Sequence, residues 1–506
     1  MRLFFIILVV SLNFHVFARS RPPAAEVVAV SAAFPSMVRL SVDPMSGSPD
    51  TSVAPATIIA PADSLSPIVC VVGDLLIKGN RKTRTYIVTR ELSFKKGDTL
   101  TLGQLVKGFR DAHDRLINTH LFNEVVVFAR AFSGRVVDVE IDVKERWYIF
   151  PLPYFKPVDR NFAAWSQKHY NLNRINYGAK FTYYNFTGRN DNLTAWLITG
   201  YARQLELYYN LPYLDRQLKH GFGFGFNYIA QKELDVRTVG NQQGFINSDT
   251  IAYAGKYLSR QLSFSARYFY RPRLKVRHVL NFTLTSTRID SAVTVWNPHY
   301  LENDKRSIVY PQLTYTLNYT DVDYVSYPLR GIIFETSLTR RGIDRDMNLW
   351  LLSTRLVRSW PLGRKLWFGF ENLNILKGPL SQPFYNQTLI GYGDVYIRGL
   401  DRYVIDGTAG MVLRNTLFRE LVNVNIPIRG SVSHDHIPLR IFATAFSDYG
   451  YAYNRDFTAN SLVNRGLYTA GIGLDIVTFY DLSFKFDYGF NQLGQNGLFL
   501  HIRNDF

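Results

Sequence analysis

Few residues in this 506-residue chain stand at spacings that support bond-making chemistry. Gly221-x-Gly223-x-Gly225 has the glycine density of a phosphate-cradling loop, but Phe222, Phe224, Phe226 and Tyr228 alternate through it. A nucleotide loop needs a following helix whose amide end meets the phosphates, whereas this alternation is that of a strand with one small face. His434-Asp435-His436 offers two imidazoles and a carboxylate to a metal, yet it stands beside Pro438 in a turn-like segment. There is no His-Glu-x-x-His helix, no Gly-x-Ser-x-Gly elbow, and one cysteine only, Cys70, which excludes thiolate clusters and intrachain disulfides. The expectation is a protein with no catalytic residues, no metal site and no cofactor, with ligation at His434 and His436 left open.

Charge offers a different chemistry. The chain carries 58 Lys and Arg against 41 Asp and Glu, a formal net charge of +17, which suits a phosphate-bearing partner such as nucleic acid or anionic lipid. The basic residues are spread along alternating strands rather than gathered on one element, which disfavours nucleic acid. The opening residues favour lipid. Met1 and Arg2 precede the apolar run Phe4 to Val10 and the stretch closes on Val16-Phe17-Ala18, as a secretory signal peptide cut after Ala18 would. The run is too short for a spanning helix, which needs about 20 apolar residues.

The elements that must position any functional group follow from texture. Aromatics make up 15% of the chain, with 32 Tyr and 36 Phe beside 34 Gly and 21 Pro, a mix that suits many strands separated by turns. It argues against a coiled coil, a disulfide scaffold and a wholly disordered chain. Residues 19–67 hold eight of the 21 prolines among many Ala and Ser and read as a flexible linker. From Ile68 to Val143 the pattern becomes α/β: an apolar run to Leu76, the turn signal Lys78-Gly79-Asn80, and a helical stretch with Ile87, Val88 and Leu92 on one side. Thr101 and Gln104 form a candidate capping box for a second helix whose apolar face is Leu105, Phe109, Ala112 and Leu116. Strand-like runs cover Asn123 to Phe132 and Val136 to Val143, giving the order strand, helix, helix, strand, strand.

Ile77-Lys78-Gly79-Asn80, Thr83 to Leu92 with Lys96-Gly97-Asp98, and Leu121-Phe122-Asn123-Glu124-Val125 resemble a POTRA domain. We place that domain at 68–146. The resemblance implies a periplasmic module preceding an outer-membrane barrel. His120 stands where the family pattern carries Gly, at a helix end that favours a left-handed backbone, which His tolerates better than most residues.

The remaining 360 residues, 147–506, repeat a period of two. Leu262, Phe264, Ala266, Tyr268 and Tyr270 alternate with Ser263, Ser265 and Arg267. Leu313, Tyr315, Leu317 and Tyr319 alternate with Thr314, Thr316 and Asn318. Leu482, Phe484, Phe486 and Tyr488 face away from Ser483, Lys485, Asp487 and Gly489. Alternation gives one apolar and one polar face, and the apolar face could meet a second sheet or lipid. Export, tyrosine content and length favour lipid, because an unbroken β region of this size exceeds a sandwich. At about 10 residues per tilted strand plus turns, an even number of strands near sixteen fits. The expected fold is mainly β: a transmembrane antiparallel β-barrel of about sixteen strands, preceded by the small α+β domain.

Within that region Tyr396-Ile397-Arg398-Gly399-Leu400, followed by Gly407, and Phe446-Ser447-Asp448-Tyr449-Gly450 resemble two signature motifs of the outer membrane protein 85 superfamily, which includes BamA and TamA. The first matches the Arg-Gly motif of a loop folded into the lumen, with Leu400 where the family has an aromatic residue; the second matches the acidic motif on a wall strand. The resemblance implies a contact between Arg398 and Asp448, with Ile397, Gly399 and Leu400 on the loop side and Phe446 and Gly450 on the wall. Leu211-Pro212-Tyr213, Tyr327-Pro328-Leu329-Arg330-Gly331 and Gly471-Ile472-Gly473-Leu474 are further family-like features. The chain's last residues resemble the terminal signal by which barrels are recognised for assembly, carried by Gly497, Leu500, Ile502 and Phe506. Pro151 and Pro153 belong either to a weakly bonded first strand or to the connection from the small domain.

The resemblance implies a bacterial outer-membrane protein, with its POTRA domain in the periplasm, that inserts barrel proteins or moves polypeptides. Its expected partners are unfolded outer-membrane or secreted polypeptide clients, periplasmic or lipoprotein accessory subunits, membrane lipid and lipopolysaccharide, and no nucleic acid. A two-partner secretion transporter and a passive pore are the alternatives.

Overall fold

The computed structural model describes residues 27–31, 57–61, 68–157, 175–248, 256–427, 436–455, 460–478 and 482–503. Residues 1–18, His434 and Phe506 therefore lie outside the described residues. Within the segment expected to be linker, β1 (Val27–Ser31) and β2 (Thr57–Pro61) pair antiparallel with each other. Both are short β-branched and apolar runs, and the expectation weighed the prolines around them more heavily.

The small α+β domain begins with β3 (Val69–Lys78), followed by helix α1 (Thr85–Arg90), β4 (Thr99–Thr101), α2 (Leu102–Ile117), β5 (Phe122–Ser133) and β6 (Val136–Glu145). Its sheet has the order β4-β3-β6-β5. Strand β4 was not foreseen, because three residues are too few to display a period. The capping box forms as spaced: the Thr101 amide donates to Gln104 Oε1 at 2.9 Å and the Gln104 amide to Thr101 Oγ1 at 3.2 Å. Leu105, Phe109, Ala112 and Leu116 are all buried on one face of α2. Gly79 has φ +85°, and a Cβ there would stand 1.8 Å from the Val143 carbonyl oxygen, so only glycine closes this turn. His120 takes the left-handed conformation expected of its position, with φ 59°. Cys70 is buried, its thiol donates to the Leu100 carbonyl at 3.4 Å, and burial pushes the thiol pKa up, away from reactive thiolate.

The second part contains β7 (Ile149–Pro157), β8 (Ile175–Tyr183), β9 (Asn192–Gly200), β10 (Arg203–Leu211) and β11 (His220–Gln231), then a hairpin of β12 (Glu233–Val239) and β13 (Gln242–Asn247). β14 (Ser259–Arg273), β15 (Val276–Ile289), helix α3 (Ser291–Trp296), β16 (Ser307–Val322), β17 (Gly331–Arg341), β18 (Leu349–Gly363) and β19 (Leu366–Gly378) follow. A small ladder of β20 (Thr388–Ile390) and β21 (Ile405–Asp406) precedes β22 (Ala409–Pro427), β23 (His436–Tyr453), β24 (Gly466–Val477), β25 (Ser483–Asn491) and β26 (Asn496–Arg503). Sixteen of these strands form one sheet whose order runs from β7 to β26, each antiparallel to its chain neighbour in the sheet. Pro151 and Pro153 lie in its first strand, paired with Phe181 and Ala179 of β8.

The sheet is curled. The Asn241 amide, at the tip of the β12–β13 hairpin, donates to Asn460 Oδ1 in the β23–β24 connection at 3.0 Å, and Tyr327 in the β16–β17 turn donates to Asp475 of β24 at 2.7 Å. Strands far apart in sheet order can meet this way only around an enclosed interior. By compactness the described residues divide into two units, one holding those up to 76 with 93–111 and 127–141, the other holding 77–92, 112–126 and those from 142 on.

Polarity is inverted relative to a water-soluble sheet. Leu197 (62% exposed), Phe224 (64%) and Leu498 (69%) look outward with Leu207, Phe264, Val309, Trp350 and Ile472. The opposite face buries Thr285, Thr339, Thr416, Thr444, Asp448, Asp475 and Asp487. A soluble protein rarely exposes so continuous an apolar surface, and a hydrocarbon surround accounts for both faces at once. The alternation thus resolves in favour of lipid and against a second sheet. Phe224→Arg is expected to cost up to about 2–4 kcal/mol of folding stability, read as a lower urea midpoint in liposomes; an unchanged midpoint would show that this face meets water.

Candidate functional site

Between β19 and β22 the chain turns back into the interior, and its base is tied before its tip is. The β20–β21 ladder closes the base, and the buried Lys377 ammonium donates to the carbonyls of Asn386 (2.8 Å), Thr388 (2.6 Å) and Gly407 (3.2 Å). Leu389, Ile390, Ile397, Leu400 and Ile405 of this loop bury a small apolar core against Val412 of β22, Ala452 of β23 and Leu467 of β24. An interior otherwise lined with polar groups therefore holds a patch of hydrophobic packing, which stabilises the loop by removing apolar area from water.

At the tip Arg398 meets Asp448 of β23. Its Nη2 donates to Oδ1 at 2.6 Å, its Nε to Oδ2 at 2.9 Å, and its own backbone amide to Oδ2 at 3.1 Å. Two parallel guanidinium bonds and a backbone bond fix both side chain and main chain. The pair is desolvated, with side-chain exposures of 11% and 0%. The guanidinium carbon lies 4.2 Å from the centroid of the Phe446 ring, so a cation–π contact covers its face.

Glycines make the approach possible. Gly399 has φ +87°, and its carbonyl accepts from Asn491 Nδ2 at 2.8 Å. A Cβ on Gly450 would stand 2.3 Å from Ile397 Cδ1, and one on Gly471 would stand 2.5 Å from Phe446 Cζ. Ile397, Arg398, Gly399, Leu400, Phe446, Asp448 and Gly450 thus share one cluster, and Gly471 of the Gly-x-Gly stretch supports it. Gly497 and Leu500 sit apart on β26, where Leu500 points outward. Ile502 pairs in backbone register with Phe484.

Three further sets of contacts were not foreseen from the sequence, although Tyr396 and Tyr327 stand in its family-like stretches. Tyr396 stacks on His501 of β26, with ring centroids 4.7 Å apart, and His501 lies 2.7 Å from Asp401 and 3.2 Å from Asp487. Arg414 donates to the Tyr396 carbonyl at 2.7 Å and to Glu371 at 2.9 Å, and Glu371 also accepts from Arg355 at 2.7 Å. Tyr327 packs on Phe442 and Phe418 beneath its bond to Asp475. Strand parity places His501 and Asp487 on the inner face, but no local signal pairs them with a loop about a hundred residues away in sequence. The loop thereby contacts β22, β23, β24, β25 and β26.

Residues 70–146 match the family model of the POTRA domain, described as a surface antigen variable number repeat. No curated protein matches the chain. Among solved structures, BamA from Haemophilus ducreyi lacking POTRA domains 1–3 is similar at 16% identity over 86% of this chain and 84% of that one, with a TM-score of 0.49. CdiB from Escherichia coli shares 13% identity over 86% of this chain and 75% of its own, with a TM-score of 0.49. CdiB from Acinetobacter baumannii shares 13% over 86% and 73%, with a TM-score of 0.44. The POTRA match and the sixteen-stranded inverted sheet define a protein built of a POTRA domain and a β-barrel with an apolar outer face.

Removing one partner of a buried ion pair strands the other. Arg398→Ala and Asp448→Ala are each expected to destabilise the loop by about 3–5 kcal/mol, and the double variant by less than their sum. Unfolding titrations of the four proteins measure the coupling; additive losses would show that the two residues do not act together.

Proposed function

We propose that this protein works in a bacterial outer membrane, with its POTRA domain in the periplasm, to insert barrel proteins or to move polypeptide clients into or across the membrane. The observation that carries the reading is the loop pinned inside the barrel by Arg398 and Asp448, in a chain whose other part is a POTRA domain. A passive pore gains nothing from filling its lumen with a clamped loop. The clamp gathers β22 to β26 around a fixed point and so holds rigid the wall that ends in the last strand.

The first strand is the complementary, softer element. Pro151 and Pro153 alternate on β7, so both lack a backbone donor on the same side of the strand. Proline is tolerated in a ladder where its missing donor faces away from the partner, which here is the side away from β8. The seam between β7 and β26 is thereby weakened, and a client strand could add to either edge, as extended peptides add to open sheet edges. The POTRA sheet offers a second edge of the same kind for receiving clients. Membrane lipid and lipopolysaccharide surround the apolar belt, and periplasmic or lipoprotein subunits are the accessory partners of this reading. Dedicated secretion of one client is the second reading.

Depleting the protein in its host and quantifying the outer-membrane proteome, with a POTRA-deleted form as comparison, tests this. Loss of many barrels, unrescued by the deleted form, is expected. Loss of one exported protein would establish the secretion reading, and an unchanged proteome would contradict both.

A further inference from the structure

The glycine face that resembled a phosphate loop has another consequence. Gly221, Gly223 and Gly225 occupy consecutive inward positions of β11, removing side chains from one patch of the barrel wall. Neighbouring groups lean into the space this leaves: a Cβ on Gly225 would stand 2.3 Å from the Tyr208 ring, and one on Gly223 would stand 2.4 Å from Asn210 Oδ1. Beside them opens an interior cavity of about 260 Å³, lined by Tyr208, Asn227, Ser265, Arg267, Gln312 and Arg341 among others, nearly all through polar atoms. It greatly exceeds the ~10–15 Å³ that one water requires.

Two cations face this cavity from neighbouring rungs of the ladder. Arg267 aligns with Asn281, Thr314 and Thr339, and Arg341 aligns with Gln312, Thr283 and Ser265. Each guanidinium contacts neutral oxygens. Arg267 reaches Asn281 and Asn210, both at 3.4 Å, and Arg341 reaches Gln312 at 2.8 Å and Asn386 at 3.0 Å. Several other arginines inside this barrel are matched with carboxylates: Arg398 with Asp448, Arg440 with Glu420, and Arg355 and Arg414 with Glu371. Among the described residues no carboxylate forms an ion pair with Arg267 or Arg341. A guanidinium carries five donors in a planar fork, and each of these two uses a minority of them. Ser265 Oγ and Asn227 Oδ1 are also buried there without hydrogen-bond partners.

We propose that this cavity binds an oxyanion, phosphate or carboxylate, between Arg267 and Arg341. Two forks supply charge-assisted and bidentate bonds, and the neutral amides and hydroxyls around them supply the remaining donors. The site lies in the wall made by β10, β11 and β14 to β17 and borders the base of the β19–β22 loop through Tyr385 and Asn386, apart from the loop tip's contact with Asp448.

Calorimetric titration of the purified full-length chain in detergent at low salt, with pyrophosphate and separately with citrate, tests the site. Binding of either probe is expected; pyrophosphate alone would assign a phosphate ligand and citrate alone a carboxylate. Arg267→Gln combined with Arg341→Gln should weaken binding at least about tenfold, while Arg260→Gln, an exposed change outside the cavity, should leave it intact. Strand content by circular dichroism verifies that each variant folds. Wild-type protein that binds neither probe, or a folded double variant that binds as tightly as wild type, would overturn the proposal.

Discussion

In hydrocarbon an unpaired backbone amide or carbonyl costs several kcal/mol, and the structure follows from that penalty. The chain answers with one continuous antiparallel sheet of sixteen strands. Once the ladder is fixed, the period of two distributes the side chains. Leucines and aromatics turn outward, where they cost nothing in lipid, and threonines, serines and charges turn inward.

The inward charges then become the next problem. An enclosed interior screens them poorly, so isolated ions are expensive and pairs are favoured when their hydrogen bonds are complete. Arg398 and Asp448 satisfy that condition through three bonds, one of them from the backbone, and so join a loop to the wall rather than merely neutralising each other. The apolar core around Leu389, Ile397 and Leu400 adds a second attachment, and Lys377 adds a third at the base. Three kinds of interaction thus hold one segment, and its footprint covers the strands leading to the end of the sheet. The two prolines of β7 sit at the opposite end of the same sheet.

Much of this was legible in the sequence because it is local. The period of two in β11, β14, β16 and β25 required strands, the length required about sixteen, and the capping box at Thr101 and Gln104 announced α2. The face that meets lipid was not decided by alternation alone, since a sandwich uses the same pattern; the buried threonines and aspartates decide it. Contacts between distant strands carry no sequence signature of their own. Tyr396 with His501, Tyr327 with Asp475, and Asn241 with Asn460 arise only because the sheet closes around an interior. The short β4 and the β1–β2 ladder fall below the length at which a period can be read. Arg398 and Asp448 were found through a resemblance of motifs, and their spacing of fifty residues would not have paired them otherwise.

Everything the loop does depends on its being held to the wall by that pair. Hydrogen exchange of the full chain in lipid nanodiscs, resolved over residues 390–405, measures this directly. The amides of Arg398 and Gly399 are expected to be protected like those of β23, and Asp448→Asn to release them while the strands stay protected. Fast exchange of those amides in the wild-type protein, or protection unchanged in the variant, would contradict it.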